Sequence, residues 1–378
     1  MRSGLQAFAL LAGVALGGML FHALGRAAAR FDPQSPGLGL ETTAVSSSLF
    51  AGRVVSAHPQ ATAAIAVEAR AMQREGREVA LWLGASQLHA INNFSEGERL
   101  AVIHANARAA GRGGAVRYVQ ISQANANFRE VLAFYLRFRQ AGTVPDRLIL
   151  ALAYDDLRER GVRSGALGGL SDALRAARGI GGAGVEALIV EAERQADGQA
   201  AAKAPVKRNP IAHTPQETLE DALTAAAERA WPAYRGRSVA RAMLETEGRA
   251  ALLRAMYGRS GRIRIDVPED VAAQNRLALE SIVRIAHTDR TAVLVYVQPY
   301  RPGEECFWYD RDAYEAFLAG MRRWCAAEGV QLADLADLVP ADQYGYTSDG
   351  RSDVFHFRET GHRLLAEAID RLLAEGGH

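Results

Sequence analysis

Four short apolar runs recur along the chain, at 79–83 (VALWL), 116–121 (VRYVQI), 147–153 (RLILALA) and 291–298 (TAVLVYVQ). Each is too short for a helix that packs on its own, and all but 116–121, which Arg117 and Gln120 interrupt, are apolar at consecutive rather than alternate positions. Strands of that kind are covered on both faces, which is the pattern of a parallel sheet between helical layers. Helix-patterned stretches lie between and around them, at 60–75, 96–112, 128–140, 311–327 and 359–373. The stretch 128–140, for example, supplies Val131, Leu132, Tyr135, Leu136 and Phe138 as its apolar positions. A short run at 330–332 completes the strands. The expected fold is therefore an α/β three-layer αβα sandwich with a parallel sheet.

The alternation stops between the third and fourth runs. Residues 161–214 are rich in glycine and alanine, and 195–214 is polar, contains proline and lacks periodicity. Residues 215–286 read as helical, with a break at Trp231-Pro232. The organisation predicted is an α/β domain over 57–160 and 289–374, interrupted at 161–288 by a mostly helical insertion with a mobile loop near 195–214.

Residues 5–24 (LQAFALLAGVALGGMLFHAL) contain no formally charged side chain. A helix of that length is about 30 Å long, the thickness of a bilayer's hydrocarbon core. Small residues at 27–29 also suit a cleaved signal peptide, but the length favours an uncut transmembrane anchor. The Pro-, Gly- and Ser-rich residues 31–56 then read as a linker, and the catalytic domain is placed on the extracytoplasmic (periplasmic) side of a bacterial inner membrane. In such a compartment Cys306 and Cys325 form one disulfide or remain as two buried thiols.

The chain of 378 residues carries 44 Lys and Arg against 43 Asp and Glu. That balance argues against a nucleic-acid partner. Two cysteines exclude a Cys-rich zinc module. No cofactor is expected, and His356 and His362 make no metal pair, because no third ligand has suitable spacing.

The residues that could do chemistry begin at the end of the first apolar run, Leu83-Gly84-Ala85-Ser86-Gln87. Ligands bind at the carboxyl ends of parallel strands, and a serine there can act as a nucleophile or serve only as a helix N-cap. A serine nucleophile needs a base. Of nine histidines, His356 stands out because Asp353 lies three residues before it, on a loop preceding the last helix. That spacing lets one turn present a carboxylate to an imidazole.

The pair of motifs, Gly-x-Ser after the first strand and Asp-x-x-His before the last helix, resembles the SGNH (GDSL-like) hydrolase superfamily. The resemblance implies Ser86 as nucleophile, His356 as base and Asp353 as its orienting acid. It places Asn125 and Asn127 where the family carries an oxyanion donor. The chain departs at the next block, Tyr154-Asp155-Asp156-Leu157-Arg158, where the family has asparagine. Asp155, Asp156 and Arg158 are candidates for substrate binding, or else an internal salt-bridge set. Gln298-Pro299-Tyr300-Arg301-Pro302 either lines the same cleft or is a proline-enforced turn.

Gly-Ala-Ser-Gln and the closing His-Phe-x-x-x-Gly-His, with the N-terminal anchor, are similar to exported members of the superfamily that O-acylate envelope polymers: the D-alanyl transfer and alginate O-acetylation proteins. That likeness implies O-acyl transfer, with acetyl as the expected group, from an acyl donor to a polysaccharide or other envelope acceptor. It also implies a membrane-bound O-acyltransferase as partner, with the membrane engaged through the N-terminal helix. The alternatives are a carbohydrate or lipid esterase of the same fold and a non-catalytic envelope scaffold.

Overall fold

The computed structural model describes residues 48–89, 99–201, 267–303, 309–346 and 352–375, with Gly17, Met19, Leu223 and Ala226 as isolated positions. The chain divides into two compact units. One comprises Met1–Pro36, Ala204–Gly261 and Tyr346–Arg351 and lies almost wholly outside the described residues. The other comprises Gly37–Lys203, Arg262–Gly345 and Ser352–His378, and the elements below are those of that unit.

Seven strands form its main sheet: β1 (Ser48–Phe50), β2 (Arg53–Ala57), β3 (Glu78–Gly84), β4 (Val116–Ser122), β5 (Arg147–Leu152), β6 (Ala292–Val297) and β7 (Gln331–Asp334). Their order is β1-β2-β4-β3-β5-β6-β7. Only the β1–β2 pair is antiparallel. β3 is central and buried from Val79 to Gly84. The chain first steps from β3 to β4 on one side, then crosses back to β5 on the other. That reversal opens a crevice at the carboxyl end of β3, the usual ligand position in open α/β sheets.

Helices cover both faces. They are α1 (Thr62–Arg74), α2 (Ala101–Gly111), α3 (Phe128–Gln140), α4 (Ser164–Leu167), α5 (Ser171–Gly181), α6 (Ala183–Ala201), α7 (Glu269–Thr288), α8 (Arg311–Glu328) and α9 (Glu359–Glu375). α2 packs on α9, while α1, α3 and α7 are neighbours, with α5 and α6 packed on α7. The four apolar runs supply β3 to β6, as their continuous burial requires. Trp82 on β3 is fully buried, and its indole N–H donates to Tyr296 on β6 at 3.2 Å.

Three local differences from the sequence reading have physical reasons. Residues 48–57, all but the last of them inside the stretch read as a linker, form the edge pair β1–β2, whose short strands carry little periodicity of their own. Helix α6 runs on to Ala201, into the stretch read as a mobile loop; the remainder of that stretch lies outside the described residues. α7, read as part of the insertion, buries Val271, Leu279, Ile282 and Ile285 and is the crossover helix that delivers the chain to β6.

The expected membrane anchor is corrected. Among the described residues no helix is long and apolar enough to cross a membrane. Within 5–24 only Gly17 and Met19 are described, both helical and exposed. α7 has the length for a span but carries Glu269, Asp270, Arg276, Glu280 and Arg284, as a helix with one solvated face must. The transmembrane, periplasmic and inner-membrane assignments, and the membrane as a partner, fall with the anchor.

At the sheet's far end, a buried carboxylate joins the two helices of one face. Asp370 on α9 is fully buried and accepts from Arg112 (2.5 Å at Oδ1) and Arg108 (3.2 Å) on α2 and from Tyr118 on β4 (2.8 Å). Burial pushes the Asp370 carboxyl up, but the bonds from Arg112, Tyr118 and Arg108 outweigh it and hold it below the ordinary range. A depressed folded-state pKa gives stability that is present above the unfolded value and lost as pH falls through the folded one. Asp370→Asn is therefore expected to cost about 2 kcal/mol at neutral pH. The difference in melting temperature from the wild type should shrink as the pH falls below about 4, which parallel thermal melts across acid pH will check.

Candidate active site

β3 ends in Gly84 because nothing larger fits. A Cβ there would lie 2.8 Å from Leu88 Cδ1 and 3.0 Å from the Ala151 Cβ. The chain then makes one 3-10 turn, Ser86–Leu88, closed by Leu88 N–H to Ala85 O (3.3 Å) and His89 N–H to Ser86 O (2.9 Å). Ser86 thus opens a single tight turn rather than a helix.

Asp353 and His356 stand on a strand rather than a loop. β8 (Tyr344–Tyr346) and β9 (Ser352–Phe357) form a separate two-stranded sheet. On β9, Asp353 is buried and accepts three N–H groups: Phe355 N (2.8 Å) and His356 N (3.0 Å) at Oδ1, and His356 Nδ1 (2.8 Å) at Oδ2. Burial drives the Asp353 carboxyl up, but the bonds from His356 more than offset this and hold it below the usual carboxylate range. His356 Nε2 stands 2.9 Å from Ser86 Oγ. With the proton on Nδ1, facing the carboxylate, Nε2 is the acceptor for the serine hydroxyl proton. The structure therefore brings Ser86, His356 and Asp353 into one hydrogen-bonded line.

Two surrounding arrangements hold this line. Arg301 N–H donates to Val354 O (3.0 Å), and the Tyr300 ring meets Phe355 edge-on at 5.0 Å. The segment 298–302 is thus a brace for β9 as well as a turn. On the other side, Phe357 and the start of α9 pack so closely that a Cβ at Gly361 would sit 2.6 Å from the Phe357 Cβ. His362 lies edge-on to Phe357 at 4.8 Å, and burial pushes its pKa down to about 3. The His-Phe-x-x-x-Gly-His pattern is explained by packing: only glycine lets the helix start against the strand.

The remaining candidates do not join the line. Asn127 caps α3, accepting from Glu130 N–H at 3.0 Å, and its amide donates to Gly161 O (2.9 Å) and Glu159 O (3.3 Å). Its side chain is spent on structure. Asn125 is exposed with a left-handed φ of 52°, and its turn is held by Arg163, which donates to Ala124 O (2.9 Å) and Asn125 O (3.4 Å). Asp155 pairs with Arg158 at 2.8 Å. Asp156 is half-buried and accepts from Ala153 N–H (3.1 Å), and burial raises its carboxyl well above the ordinary range. Cys325 is a free thiol that burial pushes up to about 11, whereas Cys306 lies outside the described residues.

His89 follows Ser86 on the same turn, but its ring faces Ser122 rather than Ser86. It is buried, its Nε2 lies 3.0 Å from Ser122 Oγ, and Ser122 also accepts from Gln120 at 2.9 Å. Burial lowers the His89 pKa to about 4. His89 therefore stays neutral beside His356 at neutral pH, adding no second positive charge when His356 is protonated.

No family model matches the chain, and no curated protein matches it. Among solved structures, the chain is similar to a GDSL-like lipase from Bacteroides thetaiotaomicron VPI-5482 at 10% identity and a TM-score of 0.37, covering 84% of this chain and 98% of that one. It is similar to a lipase/acylhydrolase from Enterococcus faecalis at 11% identity and 0.35, covering 79% and 96%. It is also similar to an alpha/beta hydrolase enzyme from the metagenome of Lake Arreo, Spain, at 15% identity and 0.33, covering 79% and 95%. These scores carry no argument about chemistry, which rests on the geometry of the site itself.

That geometry makes a specific demand of Asp353. An amide in its place keeps the shape but turns an N–H toward His356 Nδ1, forcing the proton to Nε2 and disarming the base. Asp353→Asn is expected to fold normally and to lower kcat for ester hydrolysis by about 10³- to 10⁴-fold. Steady-state kinetics beside circular dichroism will check it.

Proposed function

We propose that the protein is a serine esterase that works through an acyl-enzyme on Ser86. The observation that carries this reading is the unbroken line Ser86 Oγ–His356 Nε2 (2.9 Å) and His356 Nδ1–Asp353 Oδ2 (2.8 Å) at the sheet's switch point. Ser86 Oγ attacks the ester carbonyl carbon while His356 Nε2 takes its proton. Asp353 stays anionic and stabilises the imidazolium. The tetrahedral oxyanion is met by the Ser86 backbone N–H, which closes neither hydrogen bond of its own turn. Collapse breaks the bond to the alcohol, whose oxygen receives the proton from His356. Water then attacks the acyl carbon as His356 Nε2 takes its proton, and collapse breaks the bond to Ser86 Oγ, which receives that proton from His356 as the acid leaves.

A carbohydrate hydroxyl can resolve the same intermediate in place of water, which makes O-acyl transfer the second reading. What supports it is a cavity of about 650 Å³ between residues 300–303, α8 and the end of β7, lined by Tyr300, Arg301, Arg311, Tyr314, Glu315 and Asp337; residues 300 and 301 also contact β9 at Phe355 and Val354. Neutral polyols suit such a balanced lining.

The test is mass spectrometry after treatment with a fluorophosphonate. The wild type should gain one adduct on Ser86, and Ser86→Ala and His356→Ala should gain none. A wild type that stays unmodified, or a Ser86→Ala variant modified equally, would overturn the reading and leave the scaffold alternative. With p-nitrophenyl acetate, acyl groups appearing on added oligosaccharide would favour transfer, and free acid undiverted by acceptor would favour hydrolysis.

A further inference from the structure

β9 carries both the base and its acid, yet it belongs to a two-stranded sheet that makes no ladder with the main sheet carrying Ser86. No sheet register therefore fixes His356 against Ser86, and the distance must be set by something else. The residue next to the nucleophile occupies that gap. Gln87 is buried, and its single amide nitrogen donates to Pro299 O at 2.7 Å and to Phe355 O at 2.9 Å. Both partners are carbonyls, so the orientation of the amide is fixed: only the NH₂ end can face them. The opposite atom, Oε1, is buried without a hydrogen-bond partner among the described residues. The side chain is thus held for its two donors at the expense of its acceptor.

We propose that Gln87 is a positioning residue that clamps the nucleophile turn, the end of β6 and the base strand onto one amide; this rests on the reading of Ser86 and His356 as nucleophile and base. Phe355 precedes His356 directly, so a bond to its carbonyl controls where the imidazole stands. Pro299 anchors the other donor on a segment whose Arg301 N–H already holds Val354 O. The amide and that backbone bond grip β9 at successive residues, 354 and 355, from two different elements. Removing the amide lets β9 drift from Ser86 while leaving the Asp353–His356 pair intact, since that pair lies within one strand.

The experiment compares full-length Gln87→Met, which keeps the length and loses both donors, with wild type. The expected result is a loss of about 10- to 100-fold in kcat for p-nitrophenyl acetate and in the rate of Ser86 modification by fluorophosphonate. KM should stay within about twofold, because a misaligned base affects the chemical step more than binding. Gln87→Glu adds a readout that a merely structural role would not move. Only its protonated acid has a hydrogen to donate, so its rate relative to Gln87→Met should rise as the pH falls. Wild-type rates in a folded Gln87→Met would overturn the proposal. If that variant fails to fold, Gln87→Asn keeps the amide but is one methylene too short to span both carbonyls, and wild-type rates in it would overturn the proposal equally. If the wild type itself is never modified at Ser86, the catalytic reading falls. The clamp is then read from the His356 ring resonances, which should be single in wild type and broadened or doubled in Gln87→Met; unchanged resonances would overturn it.

Discussion

A charged group buried on a strand must be met by donors, and Asp353 is met by the N–H of Phe355 and by two N–H groups of His356. This makes the Asp353–His356 pair an insert held together within one strand. What the fold must supply is a fixed place for the insert. The crevice at the carboxyl end of β3 provides the place, and the contacts around Val354, Phe355 and Phe357 provide the fixing. Division of labour of this kind separates two tolerances. The imidazole's orientation is set locally by hydrogen bonds, and its distance from the serine is set at long range by packing.

Electrostatics reinforce the separation. Four histidines other than His356 lie in this unit's described core or at its margin: His58, His89, His104 and His362. Burial lowers the pKa of each. His89 and His362, pushed down to about 4 and about 3, stay neutral near pH 7 and add no positive charge beside His356. Asp370, far from the site, is the opposite solution to burial: its charge is retained because three donors surround it.

Much of this was legible in the sequence, and the part that was not has a physical explanation. β3 to β6 were readable because strands buried on both faces must be apolar throughout. Ser86, Asp353 and His356 were legible as a candidate site from the Gly-x-Ser and Asp-x-x-His spacings, and the structure brings their side chains into one hydrogen-bonded line. β1 and β2 were not, since short edge strands need neither continuous burial nor periodicity. The strand under Asp353 and His356 was read as a loop because β9 is paired only with three-residue β8 and alternates imperfectly. Asn127 was misleading as a site candidate: asparagine before a helix is as natural for a cap as for an oxyanion donor. Gln87 could be quoted from the sequence but not assigned, because its partners, Pro299 and Phe355, are backbone carbonyls more than 200 positions away.

The connection between β5 and β6 has a consequence of a different kind. The chain leaves the sheet after Leu152 and returns at Ala292, on the very next strand. Ser86 lies before that excursion, and Asp353 and His356 lie after it. The three groups of the candidate site therefore come from opposite sides of a 139-residue gap in the chain, and it is the parallel pairing of β5 with β6 that closes this gap in space.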